Sequence, residues 1–351
     1  MTLLGCCGSV YLQLTHYRMN SLQAVHRPSL YGLGCLFFLL SFTLAHTQSR
    51  PDYGTYHQQV MELEGLLVQE KYKLALDKYE KLIDSYPFVF LREHQVATQI
   101  ALFLNMQEKA IVYMQRGIKA GWKWRDIRKN GLLSKLKGTD SWKKSKAEYA
   151  ALREDYLERL QQDLRAEVKK MYKKDQRKAF FALFTFGPNG QTRYAERHFA
   201  PHSEVQIAQV KHILQAFGYP GERLVGNNYW MSTILSHHNS ISTDYNQQDT
   251  LYASIRPALE VALLEGELSP FSFALIDDWY LASSKDRNGE TYGFLQQVTA
   301  AQLEFTNKLR QRIYLRTVEL RNQLVEVESK TGMDLFLPGN SWVGGNIEIR
   351  E

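Results

Sequence analysis

Apolar residues recur every three or four positions through most of this chain, which is the spacing of one buried face of an α-helix. Two such stretches lie between residues 55 and 120, and each has the length of a helical hairpin. Further stripes predict a long helix from about Ser145 to Phe184 and a last helix from about Phe294 to Lys330. The alternation typical of a strand appears only in the tail, in "GGNIEIRE". The pattern therefore predicts an all-α fold.

Small residues in the two hairpins stand at the spacing of a helical repeat. In "KYKLALDKYEKLIDSYP", Ala75, Tyr79 and Pro87 occupy the offsets that a tetratricopeptide repeat uses in its second helix and closing turn. Ala110 follows Ala75 by 35 residues, close to the repeat length of about 34. We therefore expect a tetratricopeptide-like array in residues 52–147, with Ala75 and Ala110 where two helices touch.

Residues 148–337 carry the patterns of a second α-helical domain, and residues 338–351 are left as a C-terminal tail. Ser203 and Gln206 form a capping-box pattern at the start of one helix. The preceding segment, 186–201, predicts a loop by its Gly and Pro content. The long helix that links the two regions has one apolar stripe, formed by Tyr149, Leu152, Tyr156, Leu160, Leu164, Val168 and Met171.

The N-terminal segment has the pattern of an export signal. An apolar run from about Leu30 to Leu44 follows Arg27, and that length suits a secretory signal and is short for a membrane span. We expect residues 1–47 to be a cleaved leader and the protein to be periplasmic or extracellular. The alternative is an uncleaved segment that anchors the protein in the membrane. The three cysteines all lie in this leader: Cys6, Cys7 and Cys35.

Charge and motifs restrict the partners. Residues 121–180 hold 18 Lys and Arg against nine acids, which indicates a solvated helical surface or, alternatively, a site for an anionic partner. Export disfavours nucleic acid, and membrane contact is expected only through an uncleaved leader. The chain has no Gly-rich phosphate loop and no His-Glu-x-x-His or Gly-x-Ser-x-Gly motif. We therefore predict no cofactor and no metal site.

The stretch "NNYWMSTILSHHNSIST" contains the one adjacent histidine pair of the chain, His237 and His238. On a helix, neighbouring side chains point about 100° apart, so the two rings should not share one metal ion. One interpretation is a buried, hydrogen-bonded histidine beside an exposed one. The other pairs a histidine with Asp278, a lone acid on an apolar helical face that needs a partner. Such a pair could act as a general base held by a carboxylate.

Several segments resemble an uncharacterised bacterial family, the domain of unknown function six-six-two-four. They are "DQRKAF", "ILQAFGYPGERLVG", "WMSTILSHHN", "ALEVALLEGELSPFSFALIDDW" and "YGFLQQ", over roughly residues 160–332. The family has no established activity, so the resemblance implies positions and no chemistry. Its characteristic positions fall on Asp278, which is followed by Trp279 instead of the family's arginine, and on five residues that the resemblance suggests for ligand binding: Trp230, Tyr292, Gln296, Asp175 and Gln176.

Two function hypotheses follow. In the first, the protein is an exported binding module, with a protein or peptide partner on the repeat region and a ligand in the second domain. In the second, it is an exported, hydrolase-like enzyme that uses His237 or His238 with Asp278. A solvent-reachable pocket containing these side chains would favour the enzyme, and full burial of both histidines would favour the binding module.

Overall fold

A computed structural model describes residues 51–182, 184–185, 187–283, 290–337 and 345–351. The predicted leader, residues 1–47, lies outside the described residues. The described chain is mostly helical and has almost no strand, which confirms the all-α fold. Within this part of the chain, no helix is both long and apolar enough to cross a membrane.

The first third of the described chain forms helical hairpins around one core. Consecutive helices pack against each other, most extensively α3 against α4. The elements are α1 (Tyr53–Val68), α2 (Tyr72–Ser85), α3 (Leu91–Phe103), α4 (Gln107–Lys119), α5 (Trp124–Lys129), a 3-10 turn (Leu132–Leu136) and α6 (Asp140–Ala147).

The remaining elements surround a second core and end in a pair of very short strands. Val298 lies opposite Ile349 in the parallel pair of strands. The elements are α7 (Tyr149–Arg159), α8 (Gln162–Ala182), α9 (Pro188–Tyr194), a π-helical turn (Ala195–Phe199), α10 (Ala200–Phe217), α11 (Glu222–Val225), α12 (Trp230–His238), α13 (Thr243–Gln248), α14 (Leu251–Leu264), α15 (Pro270–Ser283), β1 (Val298–Thr299), α16 (Ala300–Arg312), α17 (Val318–Thr331) and β2 (Ile349–Arg350).

The small residues of the predicted repeats lie in the first core. Ala75 on α2 and Ala110 on α4 are both fully buried, as expected where backbones approach closely. The C-terminal part of the chain returns to the same core, because α17 packs against α1 and contributes Leu324 and Val327. The hairpins therefore do not close their core alone.

The predicted long helix from Ser145 to Phe184 is wrong, because the chain breaks twice. One break lies between α6 and α7, and the other leaves Leu160 in an extended conformation with ψ of 139°. At the second break, the Gln161 amide donates to the Leu224 carbonyl at 3.0 Å, so the short helix α11 supplies the acceptor that the broken helix lacks. The apolar stripe is still largely correct, since the five residues from Tyr156 to Met171 are buried: Tyr156, Leu160, Leu164, Val168 and Met171.

The predicted loop at 186–201 and the predicted single last helix are also wrong. Residues from Pro188 onward run through a π-helical turn into α10. Pro201 has no amide hydrogen to donate, and a widened turn tolerates that loss. The last helix divides at Tyr314, whose φ is +58°, and the turn carries Arg316 toward α1.

Candidate functional site

His237 is buried and is held by an acid from α8. Its Nδ1 lies 2.7 Å from Oδ2 of Asp175, and the side-chain amide of Gln176 donates from Nε2 to the same oxygen at 3.3 Å. Burial alone would lower the pKa of His237, but the charge and hydrogen bond of Asp175 outweigh it and leave the pKa above 6.5. The structure therefore brings three of the predicted site residues together in one buried polar cluster.

His238 is completely buried and contacts a different set of groups. The Ser203 hydroxyl lies 3.0 Å from Nδ1, and Oδ2 of Asp249 lies 3.2 Å from Nε2. These residue types are those of a hydrolase triad. Ser203 is also completely buried, whereas a nucleophile must be reached by its substrate. Asp249 accepts from the amides of Leu251 and Tyr252 at the start of α14, so the arrangement joins α10, α12 and α14.

The expected pairing of a histidine with Asp278 is wrong. Four donors from one loop satisfy the Asp278 carboxylate at 2.8–3.0 Å: the Thr291 hydroxyl and the amides of Tyr292, Phe294 and Leu295. Burial raises the pKa of Asp278, and these hydrogen bonds partly offset that effect. The acid needs no histidine because backbone amides solvate it. The expectation that one histidine is exposed is wrong as well.

The remaining predicted site residues lie in separate places. Two cationic side chains lie near the Trp230 ring: the Arg165 guanidinium is 5.1 Å and the Lys169 ammonium 5.8 Å from the ring centre. The Tyr292 hydroxyl donates to Asp277, which also accepts two hydrogen bonds from Arg256. Gln296 is half-buried in the loop that follows Tyr292. These side chains do not converge on one site.

The lysines of the basic stretch lie on the outer face of α8. The exposed residues are Lys169, Lys170, Lys173, Lys174 and Arg177. Asp175 is the acid within this run, and it points inward to His237.

A cavity of about 380 Å³ lies between the two cores, in the size range of small-molecule sites. Helix α1, the start of α3 and the turn around Tyr314 line one side. The loop 219–222, the start of α12 and the segment 267–272 line the other. Apolar and charged side chains alternate around it, and neither histidine of the pair nor Asp278 is among the described residues that line it.

Glu64 is a buried anion on α1 that two arginines share. Its carboxylate accepts from Nε and Nη2 of Arg316 at 2.7 and 2.6 Å, and Nη2 of Arg92 lies 2.7 Å from Oε1. Burial opposes ionisation, but the charges of Arg316 and Arg92 outweigh it and hold the pKa of Glu64 below 4.5. The group connects the first core to the turn between α16 and α17.

Glu93 at the start of α3 is a buried acid with an unused oxygen. Only 4% of the residue is exposed. Its Oε1 lies 3.4 Å from Nη1 of Arg92. Oε2 has no hydrogen-bond partner among the described residues. Burial raises the pKa of Glu93, and the charge of Arg92, its own backbone amide and a hydrogen bond with the Tyr56 hydroxyl offset part of that rise.

Glu222 opens the short helix α11 and faces the same cavity. Its Oε1 accepts from the Leu91 amide at 2.7 Å. Burial raises the pKa of Glu222 from 4.5 to about 8, the Leu91 hydrogen bond and Arg159 act in the opposite direction, and the charge of Glu93 adds to the rise. Perturbed acids in a cavity are characteristic of functional sites.

The other titratable groups of the cavity are less exceptional. Nε2–H of His57 donates to the Leu263 carbonyl at 3.2 Å, and burial lowers the pKa of His57 to about 4, so the ring is neutral. Glu267 accepts from the Tyr219 amide at 2.8 Å. Among the described residues, no group of three or more His, Cys, Asp or Glu side chains is placed to hold a metal ion.

This cavity was not predicted from the sequence, although one residue pattern indicated a buried acid in α3. Glu93 stands three and seven positions before Val96 and Ile100, so it continues the apolar stripe of α3. A charged residue in such a stripe is costly to bury and indicates a special environment. Glu222 gave no such signal, because its segment predicts a loop.

Comparison with protein-family models gave no match, and neither did the searches of curated proteins and of solved structures. The resemblance to the uncharacterised bacterial family therefore stays a prediction.

Proposed function

We propose that this chain is an exported ligand-binding protein whose site is the cavity between the two cores. The proposal depends on one observation, which is that two buried carboxyl groups line this cavity. Glu93 and Glu222 face a space of about 380 Å³, and burial raises the pKa of both carboxyl groups. A protein core without a ligand gains nothing from an unpaired acid there, since burying it costs free energy.

Export and the repeat partner belong to the same proposal. The leader pattern supports secretion, and cleavage between Ala45 and Gln48 would leave a chain without cysteine. Mass spectrometry of soluble and membrane fractions tests this, because a full-length, membrane-retained chain would identify an anchor. The tetratricopeptide-like spacing supports a protein or peptide partner on the hairpins.

The alternative, a hydrolase-like enzyme using His237, His238 and Asp278, has less support. Both rings already have acidic partners, and Asp278 is held by a loop. Each of the three residues is at least nine-tenths buried.

The binding proposal is tested by filling the cavity. Ser272 lines it, whereas Ser254 lies exposed on α14. We expect small-molecule fragments of mixed charge to bind the wild type and Ser254→Trp, and to lose binding in Ser272→Trp. Saturation-transfer NMR measures this. Fragments that bind all three proteins equally, or no bound fragment at all, would refute a ligand site in this cavity.

A further inference from the structure

The charges that line the cavity do not balance. Two arginines, Arg92 and Arg316, face four glutamates: Glu64, Glu93, Glu222 and Glu267. Both arginines form ion pairs with Glu64, so its negative charge offsets part of their positive charge. His57 adds none, because burial keeps it neutral. With every acid ionised, the lining therefore has an excess of negative charge.

The geometry locates that excess at Glu93 and Glu222. Oε2 of Glu93 has no hydrogen-bond partner among the described residues, and Oε1 of Glu222 accepts from the Leu91 amide at 2.7 Å. Leu91 and Glu93 are near neighbours at the start of α3, so the Glu222 carboxyl lies beside that turn. Apolar groups, including Met231 and Phe271, line the same cavity.

Resting on the proposed ligand-binding function, we propose that the ligand is an organic amine, with its ammonium group at Glu93 and Glu222 and its apolar part against Met231 and Phe271. An ammonium group has three N–H donors and one positive charge. It would donate to Oε2 of Glu93 and to the Glu222 carboxylate, and charge-assisted hydrogen bonds of this kind are the strong ones.

Binding must expel a proton. In the empty cavity at neutral pH, Glu222 is mostly protonated, because its pKa is about 8. The ammonium ion requires the carboxylate, so the Glu222 proton leaves to solvent as the amine enters, and no covalent bond changes. The groups that act on Glu222 are Glu93, Arg159 and the Leu91 amide. Tyr56 and Tyr229 lie near enough for Glu222 to affect their own pKa values.

The test compares three probes of similar shape: 2-phenylethylamine, neutral 2-phenylethanol and anionic phenylacetate. Isothermal titration calorimetry near neutral pH, in phosphate and in HEPES, neither of which has a primary amine, measures affinity and proton release together. We expect the amine to bind at least about tenfold more tightly than the alcohol and to release a proton. Glu222→Gln and Glu93→Gln should each weaken amine binding by about tenfold, with alcohol binding unchanged and no proton released by Glu222→Gln.

Glu158→Gln, an exposed acid on α7, is the matched control and should bind all three probes as the wild type does. Nα-acetyl-lysine amide separates two sources of the ammonium group: stronger binding than 2-phenylethylamine assigns a peptide lysine, and weaker binding assigns a free amine. Equal affinity for the three phenyl probes, preference for the anion, or amine binding without proton release would overturn the amine proposal. Loss of fragment binding in Ser272→Trp would then still support the cavity as a ligand site.

Discussion

At the scale of single residues, Glu222 makes folding depend on pH. Its pKa is about 8 in the folded chain and 4.5 as an ordinary glutamate, so between these values the folded state binds more protons than the unfolded state. The free energy of unfolding should therefore fall as pH rises through that window. Glu222→Gln keeps the Oε1 acceptor for Leu91 and removes the titration.

We expect Glu222→Gln to be more stable than the wild type at pH 8, by roughly 1–3 kcal/mol, which is less than the full shift because the carboxyl is half-buried in a cavity. Below pH 4.5 the two proteins should differ little. Urea titrations across this range measure the difference, with the exposed Glu158→Gln as control. A difference that does not change with pH would contradict the raised pKa.

His237 and Asp175 should be energetically coupled. Nδ1 of His237 and Oδ2 of Asp175 are buried and lie 2.7 Å apart, so removing one side chain leaves the other without this hydrogen bond. A double-mutant cycle with His237→Ala and Asp175→Asn should give a coupling of roughly 1–3 kcal/mol. The control cycle, His237→Ala with Asp278→Asn, should give less than about 0.5 kcal/mol, because the Asp278 hydrogen bonds go to residues 291–295. The reverse order of couplings would refute the assignment.

From the sequence, the burial of a histidine and of Asp278 was easier to predict than the groups that form hydrogen bonds with them. The burial of Asp278 and of one histidine followed from helical spacing, and so did the different directions of the two rings. The partners did not follow. Asp278 is satisfied by backbone amides, which every residue type carries, and Asp175 and Asp249 reach the histidines from helices whose packing is set by the whole fold.

At the scale of elements, spacing identified buried faces but not helix ends. The stripe from Tyr156 to Met171 is buried as predicted, yet it crosses a break at Leu160. The break is stabilised by the Gln161–Leu224 hydrogen bond, which no local pattern contains. Ser203 shows the same limit, because its hydroxyl serves His238 and lies inside α10, where the capping-box pattern expected a helix start.

The hairpin helices should tolerate no larger residue at Ala75. The side chain is fully buried on α2, which packs against both α1 and α3. We expect Ala75→Leu to lower the free energy of unfolding by roughly 1–3 kcal/mol through overpacking. Ala151→Leu, on the exposed face of α7, is the control and should have little effect. Equal denaturation midpoints for the wild type and Ala75→Leu would show that this hairpin is packed differently.

At the scale of the whole molecule, the first and last helices of the described chain, α1 and α17, share a core. Helix α17 contributes Leu324 and Val327 to the first core, whereas the preceding Leu309, Ile313 and Leu315 belong to the second. The buried Glu64–Arg316 ion pair crosses between the same parts. Along the chain, the change from the first core to the second lies between Leu152 and Leu164, and the return of α17 to the first core was not visible in the sequence pattern.

This arrangement should make the chain unfold as one unit, and not as independent segments 52–147 and 148–337. If the segments were independent, losing contacts of α17 would affect only one of two transitions. Scanning calorimetry should instead show one transition, and Leu324→Ala should shift it as a whole by about 2–5 kcal/mol, because Leu324 is completely buried. The exposed Leu157→Ala should leave it nearly unchanged. Two resolved transitions, with Leu324→Ala moving only one of them, would show that the hairpin layer folds separately despite the shared core.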